Sequence, residues 1–149
     1  MADRVDVLIE LWKDERQQAL QAEGQRAALT NIVIVVVAAG LGFVSQKRLG
    51  PSLLVVTLPM MLLGLYGALS CLKYRERFSL HSSQARRLRI ELGRIDPTFS
   101  IEAGRQETKR RHRSRFSFLV KIRLYALWVA IHAGVAVIGG ILSICALLG

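Results

Sequence analysis

Residues 53–95 read LLVVTLPMMLLGLYGALSCLKYRERFSLHSSQARRLRIELGRI, an uncharged segment that ends at Leu72 and meets a basic, periodic one with neither Gly nor Pro at the junction. The stretch predicts one helix that leaves a bilayer at Lys73 and continues into water. Its apolar half needs partners in lipid, and its charged half carries a hydrophobic stripe that needs partners in water. Beyond Lys73, Tyr74, Phe78, His81, Ala85, Leu88, Leu92 and Ile95 are spaced 4, 3, 4, 3, 4, 3, the heptad pattern of a coiled coil. Arg75, Arg77, Arg86, Arg87, Arg89 and Arg94 all fall off this seam, as a solvated face requires. Tyr74, Phe78, His81, Leu88 and Leu92 are thus expected to form a seam closed by the first helix or by neighbouring subunits, with His81 as a polar register residue. Asp96-Pro97 stops the helix.

Working outward, the uncharged run 49–72 is twenty-four residues long and is preceded by another of twenty, 27–46. Each meets the length of about twenty residues needed to cross the hydrocarbon. Between them lies only Lys47-Arg48-Leu49-Gly50-Pro51-Ser52, a Gly-Pro turn suited to reversing direction at once. Residues 27–46 and 52–72 therefore read as a transmembrane hairpin, with Pro59 able to kink its second arm. Residues 1–26 place Val5, Leu8, Ile9, Trp12 and Ala19 at helical spacing, with acids toward the start, and read as an amphipathic helix rather than a signal peptide. Its polar face carries six acids to four bases, so packing on protein is preferred to lying on lipid. Residues 73–115 form the basic helix followed by a linker or short helix. Residues 116–149 read as a third transmembrane helix, approached through Phe116-Ser117-Phe118-Leu119 with Lys121 and Arg123 snorkelling.

Composition agrees with this layout. The chain of 149 residues is 52% hydrophobic with a mean hydropathy of +0.33, too apolar for an ordinary soluble domain of its size. The fold class expected is all-α: an integral membrane helical bundle of three transmembrane helices plus cytoplasmic amphipathic and coiled-coil helices. The net charge of +10 resides in residues 73–123, which hold fifteen Lys and Arg against five acids. The positive-inside rule then places this region and the N-terminus in the cytoplasm, and the C-terminus outside.

No nucleophile with a paired base, and no metal-ligand spacing among His81, His112 and His132, appears in the sequence, so neither an enzyme nor a metal or cofactor is expected. Cys71 and Cys145 fall near opposite faces of a bilayer about 30 Å thick, too far apart for a disulfide. His132 lies about 12 Å beyond Leu124 along the third span at 1.5 Å per residue. An ionisable residue at that depth faces a bundle interior or a watered cavity, so it reads either as a neutral imidazole bonded to a neighbouring helix or as part of a pore. Ala126, Ala130 and Gly134, with Ala136 and Gly140, give the span small-residue faces for helix contact. Thr30 and Asn31 either cap the first span or line a polar path. Asn31, Ala130, His132 and Gly134 are the candidate pore or helix-contact residues.

The basic region has three readings. Its arginines set topology and touch anionic lipid, or they meet an acidic protein, or they hold a phosphorylated ligand. For the last, Arg86, Arg87, Arg89, Lys109, Arg110, Arg111 and Arg113 are the candidate nucleotide- or anion-binding residues, with affinity falling steeply with salt.

The order of amphipathic helix, tight two-span hairpin and a long charged helix opening Lys73-Tyr74-Arg75-Glu76-Arg77, with His81 four residues on, resembles the small SLATT-like membrane effectors of bacterial antiphage defence. The resemblance covers about residues 1–95; the third span departs from the two-span pattern. It implies a homo-oligomeric channel or membrane-disrupting pore in the bacterial inner membrane, controlled by a nucleotide or oligonucleotide made by a partner enzyme, that depolarises the cell in abortive infection. The expected partners are the bilayer, further copies of the chain and such a ligand. The other class of function compatible with the residues is a non-channel anchor or accessory subunit that scaffolds a partner protein.

Overall fold

The computed structural model describes residues 2–48, 50–99 and 102–149. Four α-helices carry nearly all of it: α1 Ala2–Val44, α2 Leu54–Ile95, α3 Glu102–Arg115 and α4 Leu124–Leu148. Among the described residues no strand occurs. Three of the helices are long and apolar enough to cross a membrane.

The segments read separately as 1–26 and 27–46 are one unbroken helix, α1. Nothing between them terminates a helix: the Ala and Gln residues around Gly24 are good helix formers, and no Pro intervenes. Likewise α2 runs from apolar to basic sequence without a break, through Pro59. The hairpin turn tightens into a 3₁₀ turn at Pro51–Leu53, where Leu53 N–H donates to Gly50 O at 3.0 Å; Leu49 of that turn lies outside the described residues. After α2, Thr98 N–H donates to Asp96 Oδ1 at 2.9 Å, a local bond that competes with further helix, and Pro97 disfavours the α conformation at Asp96, so the two together end the helix. The third span differs from expectation at its start. Its helix begins at Leu124, and residues 116–123 instead form turns and a short 3₁₀ segment that closes on extended Ile122. Lys121 and Arg123, which resist burial in hydrocarbon, fall in that irregular stretch.

The chain divides into two compact units, Met1–Glu23 with Glu76–Arg123, and Gly24–Arg75 with Leu124–Gly149. In the second unit, Val33 and Val37 of α1, Met60 of α2 and Val135 of α4 make one apolar cluster, and Val44, Leu53 and Ala146 make another. Its outward side chains are also apolar, among them Val35, Val55, Leu62, Leu69, Val137 and Ile144. A helix apolar on both its inward and outward faces is the pattern of a span rather than of a soluble bundle. Arg26 and Arg75 lie over the rings of Trp128 and Tyr125, 5.5 and 3.4 Å from the ring centres, a cation–π contact that lets a cation approach an apolar bundle. The first unit is built differently. Among its described residues the buried apolar side chains are Ala19, Ala22, Ala85 and Leu92, and polar pairs align its helices. Arg4 meets Glu91, and His81 Nδ1–H donates to Glu15 Oε2 at 2.7 Å, so α1 and α2 run antiparallel here.

Candidate basic cleft and the buried polar pairs

In the first unit, α3 forms from the strong helix formers in EAGRQETKRRHRSR. Its basic last turn, with His112, Arg113 and Arg115, complements the negative end of the helix dipole. Helical spacing sets Arg105, Lys109 and His112 on one face at i, i+4 and i+7. That face and the pair Arg86 and Arg89 of α2 bound a cleft of about 910 Å³. The volume falls in the range of about 300–1,000 Å³ that small-molecule sites occupy. Gly104, Gln106 and Thr108 complete its lining, and no carboxylate lines it. Arg86, Arg89, Arg105 and Lys109 make the lining basic, which favours an anion, and guanidinium forks suit phosphate oxygens.

Of the ligand residues expected from sequence, Arg86, Arg89 and Lys109 come together here. Arg110 and Arg111 do not: they face Glu107 on the same helix at 3.4 and 2.9 Å, an i,i+3 and i,i+4 arrangement that turns them from the cleft. Arg87 and Arg113 are exposed and do not line it. Sequence reasoning passed over Arg105 and His112, although their i, i+7 spacing, with Lys109 between, carried the signal.

Of the seam residues, His81 meets Glu15 of α1 in the same chain. Leu92 and its neighbour Ala85 are buried, while Phe78, His81 and Leu88 are partly covered. Gln84, in the amide orientation its surroundings favour, donates to both Glu15 oxygens at 2.8 and 3.1 Å, so Glu15 joins two α2 side chains. Tyr74, in the second unit, is half-buried.

In the second unit His132 is fully buried, and its Nε2 lies 3.0 Å from Thr30 Oγ1. Thr30 donates its single hydroxyl proton to Arg26 O at 3.0 Å, so the imidazole must donate from Nε2. Its Nδ1 is buried and has no hydrogen-bond partner. A second pair joins the same bundle: Ser143 Oγ and Thr57 Oγ1 are 2.9 Å apart, both buried. The other residues grouped with His132 are not brought to it. Asn31 and Ala130 are exposed, and a methyl group added at Gly134 would meet nothing. The close helix contact instead uses Gly64, Gly67 and Gly139. A Cβ at Gly64 would strike the backbone of Ala136, one at Gly67 the His132 ring, and one at Gly139 the backbone of Met61. Gly64 and Gly67, three apart, were the visible signal for this face.

Among the described residues no group of three His, Cys, Asp or Glu lies together, and both cysteines are free. Compared with known proteins, the chain matches no family model, no curated protein and no solved structure.

Proposed function

We propose that this protein is a membrane effector that binds a phosphorylated ligand, a nucleotide or oligonucleotide, in its basic cleft and responds by letting ions through an assembly of its own spans. The observation that carries the reading is the cleft of Arg86, Arg89, Arg105, Lys109 and His112, on a chain that also holds three candidate spans. The helix α2 supplies two of those arginines and, with no break, one of the spans, so a ligand that draws on Arg86 and Arg89 acts directly on a membrane-crossing element. The positive charge of residues 73–123 supports a cytoplasmic cleft, which on this reading faces the inside of a bacterial inner membrane with the C-terminus outside. The resemblance to SLATT-like effectors of antiphage defence supports the same reading and supplies the consequence, abortive loss of membrane potential.

Reconstitution in liposomes tests it. Flux of a dye-reported ion is expected when a member of a panel of mono- and oligonucleotides is added on the cleft side, and no flux with any member would sink the channel. One observation favours a second reading, a non-channel anchor or accessory subunit. The buried polar side chains pair within a single chain, His132 with Thr30 and Ser143 with Thr57, so these groups are satisfied without a watered path. That reading expects a co-purifying protein partner and liposomes that stay tight.

A further inference from the structure

Beside the large cleft, and sharing Arg86, Arg89 and Arg105 with it, lies a smaller pocket of about 390 Å³ lined also by Trp12, Arg16 and Ser82. Trp12 Nε1 and Ser82 Oγ are both out of contact with solvent and both lack a hydrogen-bond partner. Leaving a buried donor unmade is costly, so two such atoms on residues that line one pocket mark an occupant. The chemistry of the atoms restricts what it is. An indole N–H can only donate, so the occupant accepts hydrogen bonds; the lining holds four arginines and no carboxylate, so it is negatively charged.

We infer that this pocket is a phosphate subsite, in which a terminal phosphoryl group accepts from the Trp12 indole, the Ser82 hydroxyl and the guanidinium groups of Arg16 and Arg105. Its lining side chains are chiefly arginines, long and rotatable, whose turning onto the anion opens both donors to it. The ligand is accordingly one with a terminal phosphate in the small pocket and its remaining body in the larger cleft, the shared arginines spanning the two. The inference deepens the proposed function and rests on it only for the identity of that body; the small pocket is testable with inorganic phosphate alone.

The chain has two tryptophans, so in Trp128→Phe protein in detergent Trp12 is the sole indole reporter. Titration with inorganic phosphate, at ionic strength held constant with chloride, is expected to change Trp12 emission saturably. Ser82→Ala and Arg105→Gln should each weaken that response roughly tenfold, as loss of a charge-assisted hydrogen bond does. Arg16→Gln provides a second charge variant, and unchanged helical circular dichroism excludes misfolding as the cause. Arg113→Gln, exposed and lining neither pocket, should leave it within about twofold. No saturable change, or one indifferent to both Ser82→Ala and Arg105→Gln, overturns the subsite and assigns the pocket to water. If phosphate binds in this way while no nucleotide engages Lys109, the subsite stands and the functional reading falls; if a nucleotide depends on Lys109 but not on Ser82, the reverse holds.

Discussion

Thr30 and His132 meet across two candidate spans, Oγ1 to Nε2 at 3.0 Å, with both side chains fully buried. The hydroxyl relays the contact to Arg26 O, so the imidazole donates from Nε2 and ties the two helices together. Hydrogen bonds between helices in lipid contribute about 0.6–2 kcal/mol. Thr30→Val is therefore expected to lower the stability of the protein in detergent by about 1 kcal/mol. A double-mutant cycle with His132→Phe, read by denaturing-detergent unfolding, should return a coupling of about that size. A coupling of zero would mean the two side chains do not hold one another.

The glycines of α2 and α4 make a sharper claim, since the protein backbone itself stands where a side chain would go. Gly64→Ala and Gly139→Ala must push two helices apart, and overpacking of this kind costs about 1–3 kcal/mol. Gly134→Ala, with open space around it, should change stability by less than about 0.5 kcal/mol. Equal effects at Gly134 and Gly64 in the same unfolding assay would show that α2 and α4 do not approach along this face.

Charge removal should separate arginines that look alike in sequence. Arg105→Gln and Lys109→Gln, which line the cleft, are expected to weaken binding of inorganic tripolyphosphate roughly tenfold each and to reduce the salt dependence by about one unit of log–log slope. Arg110→Gln and Arg111→Gln, occupied with Glu107, should do so by less than about threefold. Calorimetric titration at two salt concentrations decides this, and equal losses at all four positions would reduce the cleft to general electrostatics.

A pH prediction follows at the end of α2. The Thr98 N–H and hydroxyl beside Asp96 hold its carboxyl below the usual carboxylate range. A lowered folded pKa means that the charged capping interaction is present above the unfolded value of about 3.9 and disappears as the pH falls through the lower folded value. The carboxyl carbon of Asp96, followed by NMR, should thus titrate with a midpoint below about 3.9, and Thr98→Pro, which removes the donating N–H, should raise it. A midpoint unaffected by that substitution would remove Thr98 as the cause.

The apolar runs and the two long helices were legible because they rest on local rules: twenty uncharged residues, a Gly-Pro reversal, a seam at 3.5-residue spacing. The seam also indicated which face of α2 is covered, with Ala85 and Leu92 buried and the arginines at 75, 77, 86, 87 and 94 exposed. What could not be read was pairing. That Glu15 receives His81, or that Gly67 faces His132, depends on the register between helices far apart in sequence, and no local pattern encodes it. The cleft was half legible for a related reason. Density of charge pointed to Arg86, Arg89 and Lys109 but also to Arg110 and Arg111, because a cluster along the chain becomes two opposite faces once wound at 100° per residue. The approach at 116–123, grouped with the third span although the uncharged run starts at Leu124, stays irregular where Lys121 and Arg123 lie.

The division of the chain bears on its biosynthesis. Each compact unit is made of separated segments, and the first 23 residues find their partners only among residues 76–123. At a synthesis rate of about 5–20 residues per second, the ribosome reaches those partners roughly 3–10 s after finishing α1's first turns. In that interval the leading half of α1 has nothing to close upon, while both apolar arms of the hairpin are already made. Closure of the charged unit therefore comes after the hairpin is complete, and a chain stalled before residue 76 would lack every α2 and α3 side chain that bounds the cleft.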